Sequence, residues 1–174
     1  DHEFPTQQSL DAWFEKNDIP AKLRERTLRA IPTTLDAAQD VLLCVNLKDG
    51  KTAWRYSAAG KLEERTGSST PCVHQGRVYF LGTTQAHCVD QENGKPLWAT
   101  DLPDGGGASS FIVTGGKAMV VARHLLAFDK KTGAILWQQT GVRSRDSSPA
   151  IWNHGEKAYA LVNGDGKRFS CVDT

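Results

Sequence analysis

Leu126-Ala127-Phe128-Asp129-Lys130-Lys131-Thr132-Gly133-Ala134-Ile135-Leu136-Trp137 decides the fold, because the chain carries two earlier versions of the same phrase. Leu43-Cys44-Val45-Asn46 runs through Asp49-Gly50 to Trp54, and His87-Cys88-Val89-Asp90 runs through Asn93-Gly94 to Trp98. A fourth version opens at Ser170-Cys171-Val172-Asp173. The tryptophans lie 44 and 39 residues apart, and Asn46, Asp90, Asp129 and Asp173 lie 44, 39 and 44 apart. A period of about 40 residues marks a propeller, a solenoid or an array, in which each unit buries its faces against its neighbours. Residue types held from unit to unit serve the architecture, so function is sought where the units differ.

Each unit divides further. Ser69 to His74 reads as a strand, Gln75-Gly76 as a hairpin turn, and Arg77 to Leu81 as an alternating aromatic strand. Gln85 to Asp90 follows, and Asn93-Gly94 supplies the positive φ of a tight turn before Leu97-Trp98-Ala99. Four short antiparallel strands per unit are the pattern of a propeller blade. From Val41 onward the chain holds the last two strands of one blade, two complete blades, and three strands of another. The expected fold is therefore all-β, a partial β-propeller of four-stranded antiparallel blades. A closed ring takes at least about four blades, so the chain reads as a segment of a larger ring, with an open, solenoid-like array or assembly through another chain as the alternatives. Its start at Asp1 rather than Met reads as a processed or excised piece.

Residues 1–40 lack the repeat and form a short N-terminal helical segment or linker ahead of the blades at 41–174. Ser9 is placed to cap a helix through Asp11 to Glu15. Pro20 stands at the first turn of a second helix, in which Leu23, Thr27, Ala30 and Ile31 recur at helical spacing until Pro32.

A net charge of +1 gives no electrostatic case for nucleic acid or an anionic membrane. No apolar run approaches the length of a membrane-spanning helix, about 18 residues or more. Cys44, Cys88 and Cys171 share one slot of the repeat, where the third unit has Ala127. A slot that takes Cys or Ala wants a small apolar side chain, so free, buried thiols are expected. Zinc-ligand spacing of Cys and His is absent from the sequence.

The phrase of a small residue, an apolar residue and Asp, a turn ending in Thr-Gly or Asn-Gly, then Leu-Trp, resembles the blade repeat of the PQQ-like (pyrroloquinoline quinone-like) β-propeller family. Residues 126–137 carry it best, Ser69-Thr70-Pro71 and Ser147-Ser148-Pro149 resemble the family's inner-strand start, and Gly76-Arg77-Val78-Tyr79 its next hairpin. The resemblance implies that Trp54, Trp98 and Trp137 pack between blades against neighbouring backbone. Asp90, Asp129 and Asp173 are structural repeat residues placed to receive turn amides. It also implies a periplasmic or extracytoplasmic location. The expected function is a non-catalytic binding or protein-interaction scaffold, its partner another protein or the remaining blades of the parent ring, with no cofactor. The alternative is part of a PQQ- and calcium-dependent quinoprotein dehydrogenase oxidising alcohols or sugars. In that case the quinone lies near the ring axis, held by Arg or Lys, with calcium on acidic and amide ligands. No residue of this chain is assigned to those roles, and no adjacent pair of cysteines is present.

Loops between blades and the middle hairpins share one face, which is where a scaffold binds. Ser57 to Ser68, Asp101 to Ala108 and Gly141 to Asp146 would form it, with hairpins at Gly82 to Gln85, Arg123-His124 and Gly164 to Lys167. Its variable polar residues Arg65, Arg123, His124, Arg143, Arg145 and Asp146 are the candidate ligand-binding set, the arginines because guanidinium matches carboxylates in bidentate fashion. Asp104-Gly105-Gly106-Gly107 lacks the Gly-Lys-Ser/Thr ending of a phosphate loop. No catalytic or metal residue is nominated.

Overall fold

A computed structural model describes residues 7–30, 39–61, 69–144, 146–166 and 168–174. Arg65 and Arg145 of the candidate set lie outside the described residues, as do Pro32 and Lys167. The chain forms two compact units, Asp1–Asp36 and Ala37–Thr174.

The first unit holds helices α1 (Gln7–Lys16) and α2 (Ala21–Ala30). Ser9 sits inside α1 rather than capping it, so the helix starts earlier than the Ser9 cap implies. The turn between the helices is a Schellman ending. Asp18 takes a φ of 47°, its amide donates to the Glu15 carbonyl at 3.1 Å, and the Ile19 amide reaches the Phe14 carbonyl at 3.0 Å. Pro20 then stands just before α2, where its carbonyl accepts the Arg24 amide at 2.9 Å. Neither helix is long and apolar enough to cross a membrane.

The second unit is a row of four antiparallel sheets. β1 (Gln39–Val45) pairs with β2 (Thr52–Ala59). The second sheet runs in the order β3 (Cys72–His74), β4 (Arg77–Leu81), β5 (Gln85–Asp90) and β6 (Pro96–Asp101). The third contains β7 (Ile112–Thr114), β8 (Lys117–Asp129) and β9 (Ile135–Ser144), and the fourth β10 (Ala150–His154), β11 (Lys157–Gly164) and β12 (Arg168–Asp173). β8 fills two strand positions. The Lys130 amide donates to the Gly116 carbonyl at 3.0 Å, which brings the two ends of β8 together, and Arg123 at its centre has a φ of 59°. The stretch therefore reverses on itself at Arg123. Among the described residues two complete blades stand between two partial ones, the arrangement the strand pattern predicts, and no closed barrel forms.

Three apolar seams join the blades. Leu42, Trp54 and Tyr56 of the first meet Val78, Phe80 and Val89 of the second. Tyr79, Leu81, Ala86, Cys88 and Trp98 of the second meet Phe111, Val113, Val120 and Phe128 of the third. Met119, Val121, Leu125 and Ala127 of the third meet Ala160, Val162 and Val172 of the fourth. Strand alternation explains this division, since successive side chains leave opposite faces of a sheet. In the complete blades β4, β5 and β8 are therefore buried on both faces, whereas β1 alternates and leaves Val41, Leu43 and Val45 exposed. The cysteine slot follows the same rule. All four thiols are free, but only Cys88 is fully buried and Cys171 is exposed, because no further blade covers the fourth sheet among the described residues.

Candidate functional site

Thr83, at the tip of the β4–β5 hairpin, organises one end of the loop face. Its amide and its hydroxyl both donate to Asp40 Oδ2, at 2.7 and 3.0 Å. The same hydroxyl oxygen accepts the Lys61 amide at 2.8 Å, and the Thr83 carbonyl accepts the Gly106 amide at 2.9 Å. One hairpin thus ties down the first blade's β1, the segment leaving that blade, and the segment leaving its own blade. Gly106 is required there, because a Cβ would collide with the Gly82 carbonyl. The glycine run at 105–107 is a close-packed brace against the hairpin.

Beneath this hairpin lies His87, which the candidate set misses. Its ring is fully buried, stacked on Phe80 with centroids 4.7 Å apart, and its Nδ1 is 3.2 Å from the Tyr56 hydroxyl. Nε2 has no hydrogen-bond partner. A Cβ added to Gly82 would stand 2.5 Å from Asp40 Oδ2 and 2.9 Å from His87 Nε2, so the carboxylate and the open nitrogen flank one bare glycine. Burial pushes the imidazole below its ordinary pKa, and the Asp40 charge pulls the other way with smaller effect. One signal in the sequence points to this residue: His87 fills the slot occupied by Leu43 and Leu126 in the adjacent units.

The candidate residues within the described structure gather at the other end, around the third and fourth blades. The predicted loop Gly141 to Asp146 is mostly strand, since β9 runs to Ser144. β8 and β9 place His124 opposite Arg143 and Arg123 opposite Ser144. Likewise β2 continues through Ala59, so the predicted loop from Ser57 begins three residues later. Arg143 and Arg123 are exposed, and Arg143 Nε lies 3.9 Å from Asp165 Oδ2 in the fourth blade's hairpin. The Asp165 amide donates to the Arg143 carbonyl at 2.8 Å, joining that hairpin to β9. His124 Nδ1 is buried without a hydrogen-bond partner. Asp146 is exposed nearby in sequence. Arg123, His124 and Arg143 are therefore brought together, while Asp40 and His87 belong to a different seam.

A row of hydroxyls links the inner-strand starts. Ser69 Oγ accepts the Leu81 amide at 3.2 Å, and Ser109 Oγ accepts the Val121 amide at 3.1 Å, each within its own blade. Between blades, the Thr70 amide donates to Ser110 Oγ and the Ser110 amide to Ser148 Oγ, both at 2.9 Å. In Ser109-Ser110 and Ser147-Ser148 one hydroxyl thus serves the home blade and one the preceding blade. Ser147 Oγ donates to the Asn163 carbonyl.

Four carboxylates of this face are engaged separately. Asp40 is held by Thr83, Asp101 by Gln85 Nε2 at 2.8 Å, Asp104 by Gln138 Nε2 at 3.0 Å, and Asp165 by Arg143. Among the described residues no three His, Cys, Asp or Glu side chains gather in a metal-binding group.

Comparison with known proteins is consistent with this layout. The family model described as outer membrane protein assembly factor BamB matches residues 38–170. No curated protein matches the chain in sequence. Among solved structures, the chain is similar to BamB from Moraxella catarrhalis, with 16% identity and a TM-score of 0.55 over 79% of this chain and 49% of that one. It is also similar to the quinohemoprotein alcohol dehydrogenase ADHIIG from Pseudomonas putida HK5, with 21% identity and a TM-score of 0.50 over 71% of this chain and 19% of that one. The chain thus spans about half the length of the first structure and a fifth of the second. At these identities the likeness is one of fold.

Proposed function

We propose, from the premise that this chain belongs to the family of the outer membrane protein assembly factor BamB, that it is a non-catalytic propeller segment whose loop face binds another protein. The observation that supports this most is the use made of the polar groups. Thr83, Asp40, Gly106 and the serine pairs are spent on bracing blades to one another, which holds the loops rigid. Exposed at this end are Arg123 where β8 reverses, Arg143 one register position away on β9 and within 3.9 Å of Asp165, and Asp146. Exposed guanidinium groups on a rigid β-platform suit recognition of carboxylate-bearing segments of a protein partner. A periplasmic or other extracytoplasmic setting accompanies the family assignment.

The dehydrogenase reading asks for a quinone held by cations near acidic calcium ligands. The described residues do not fit that centre. Asp40, Asp101, Asp104 and Asp165 have four different partners, and among the described residues no group of three ligating side chains stands together.

The test uses the longest expressible parent chain. Arg123→Glu and Arg143→Glu together are expected to abolish capture of a protein partner from an extracytoplasmic extract while leaving the circular dichroism unchanged. Titration with PQQ and calcium is expected to leave tryptophan emission unchanged. Undiminished capture by the double variant would overturn the assigned face, and saturable, calcium-dependent quenching would overturn the scaffold reading.

A further inference from the structure

The seam between the first and second blades holds one polar ring that the scaffold does not use. His87 takes a leucine's slot, is fully buried, and leaves Nε2 without a partner. An unsatisfied buried nitrogen is a net cost to the closed seam. The ring meets three strands and a hairpin. β4 supplies Phe80, β1 supplies Asp40, β2 supplies the Tyr56 hydroxyl, and Gly82 and Thr83 close the top. On its own sheet β6 places Ala99 opposite. The titratable groups facing the ring are thus Asp40 and Tyr56 among the described residues, and both belong to the first blade.

We propose that His87 makes this seam an acid-sensitive joint, in which the neutral ring holds β1 and β2 against the second blade and the protonated ring releases them. A neutral imidazole keeps one lone pair and one N–H, and Tyr56 can donate to Nδ1 when the proton sits on Nε2. Protonation puts N–H on both nitrogens. Tyr56 must then turn from donor to acceptor, and a full charge must rest against Phe80 and the Gly82 backbone. Asp40 is the one carboxylate at hand, and its Oδ2 already takes two bonds from Thr83. Burial therefore outweighs Asp40, and the closed seam binds the proton less readily than the open one. The sign follows from linkage. Closure is complete above the ordinary histidine range, about pH 6.5. As pH falls below it, the opening equilibrium rises by up to about tenfold per pH unit. The rise stops once the closed ring itself takes up the proton.

Backbone amide exchange of the whole chain tests this, with intrinsic rates corrected at each pH. The opening equilibrium of the β1 and β2 amides is expected to rise toward about tenfold per pH unit below about pH 6.5, while Val120 and Val121 of β8 stay level. His87→Leu, which restores the neighbouring units' residue, is expected to flatten the β1–β2 response. A flat response in the unsubstituted chain overturns the proposal, as does an equal slope in the variant. Should the variant misfold, an NMR titration of the His87 ring in the unsubstituted chain decides. The ring must remain mainly neutral at about pH 6.5, and one mainly protonated there overturns the proposal. Asp40→Asn keeps an acceptor for Thr83 and is expected to move the ring's titration to lower pH. A move to higher pH overturns the role given to Asp40.

Discussion

Trp98 Nε1 donates to the backbone carbonyl of Lys130 at 3.2 Å, one blade away, and Trp54 repeats the bond to Gln91 at 3.1 Å. Each indole thus reads the turn that follows the repeated Asp of the next blade. Trp98 also stacks on Phe128 at 6.0 Å and lies against Tyr79 at 6.0 Å, so its large apolar body is spent inside the seam. Trp137 occupies the same slot but is only half-buried, against the third seam. Trp98→Ala is expected to cost about 3–5 kcal/mol, and Trp137→Ala clearly less. Urea denaturation of the two variants gives the order, and equal losses would contradict it.

Gly133 makes the same point from the other side of the seam. Its φ is 76°, and a Cβ there would stand 2.6 Å from Trp98 Cδ2 and 2.8 Å from Thr100 Oγ1. Gly155 has a φ of 59° and nothing within 4 Å of its Cβ position. Both alanine variants carry the left-handed strain of about 1–2 kcal/mol. Gly133→Ala adds overpacking of about 1–3 kcal/mol. The difference between the two denaturation free energies isolates that contact.

Ser109 is fully buried and its oxygen satisfies the Val121 amide. Ser109→Ala leaves that amide buried and unpaired, at an expected cost of about 1–3 kcal/mol. Ser110→Ala frees the Thr70 amide, which water can reach, and is expected to cost less. Thermal denaturation of both variants measures the contrast, and the reverse order would refute it.

Tyr79 is buried in the central seam and donates its hydroxyl to the Lys130 carbonyl at 3.2 Å. Burial, with smaller contributions from Cys88 and Cys72, pushes its pKa up to about 12. A raised folded pKa means that the unfolded chain gives up this proton first. The stability it contributes is whole below the unfolded value of 10.0 and is lost as pH rises toward about 12. Tyr79→Phe is expected to flatten the alkaline limb of the stability curve, read by denaturation at a series of pH values.

The blade was legible because a blade is local. Asp129 Oδ1 accepts the Lys131 and Thr132 amides at 2.9 and 2.8 Å, and Gly133 turns the chain directly after Thr132. Such contacts recur in register with the repeat, so the sequence displays them. Burial of the cysteine slot was legible only as a preference, because Cys88 and Cys171 differ in what lies across the sheet and not in their own strand. Arg123, His124 and Arg143 stand out in the sequence as variable positions, but the facing of His124 and Arg143 across β8 and β9 follows from a longer strand than the loop pattern predicts. No local pattern in the sequence joins Asp40, Thr83 and His87, since each comes from a different strand or turn.

By itself the sequence determined the repeat, its turns, the four-strand blade and the residue types that hold it. Those rest on neighbours a few residues apart, and hydrophobic period and turn chemistry record them. Only the tertiary structure decided what meets in the seams: Trp98 with Lys130, Ser110 with Thr70, and His87 with Tyr56 and Asp40. Those contacts join separate blades, and their energy depends on which face of which sheet is covered, a quantity no single strand encodes.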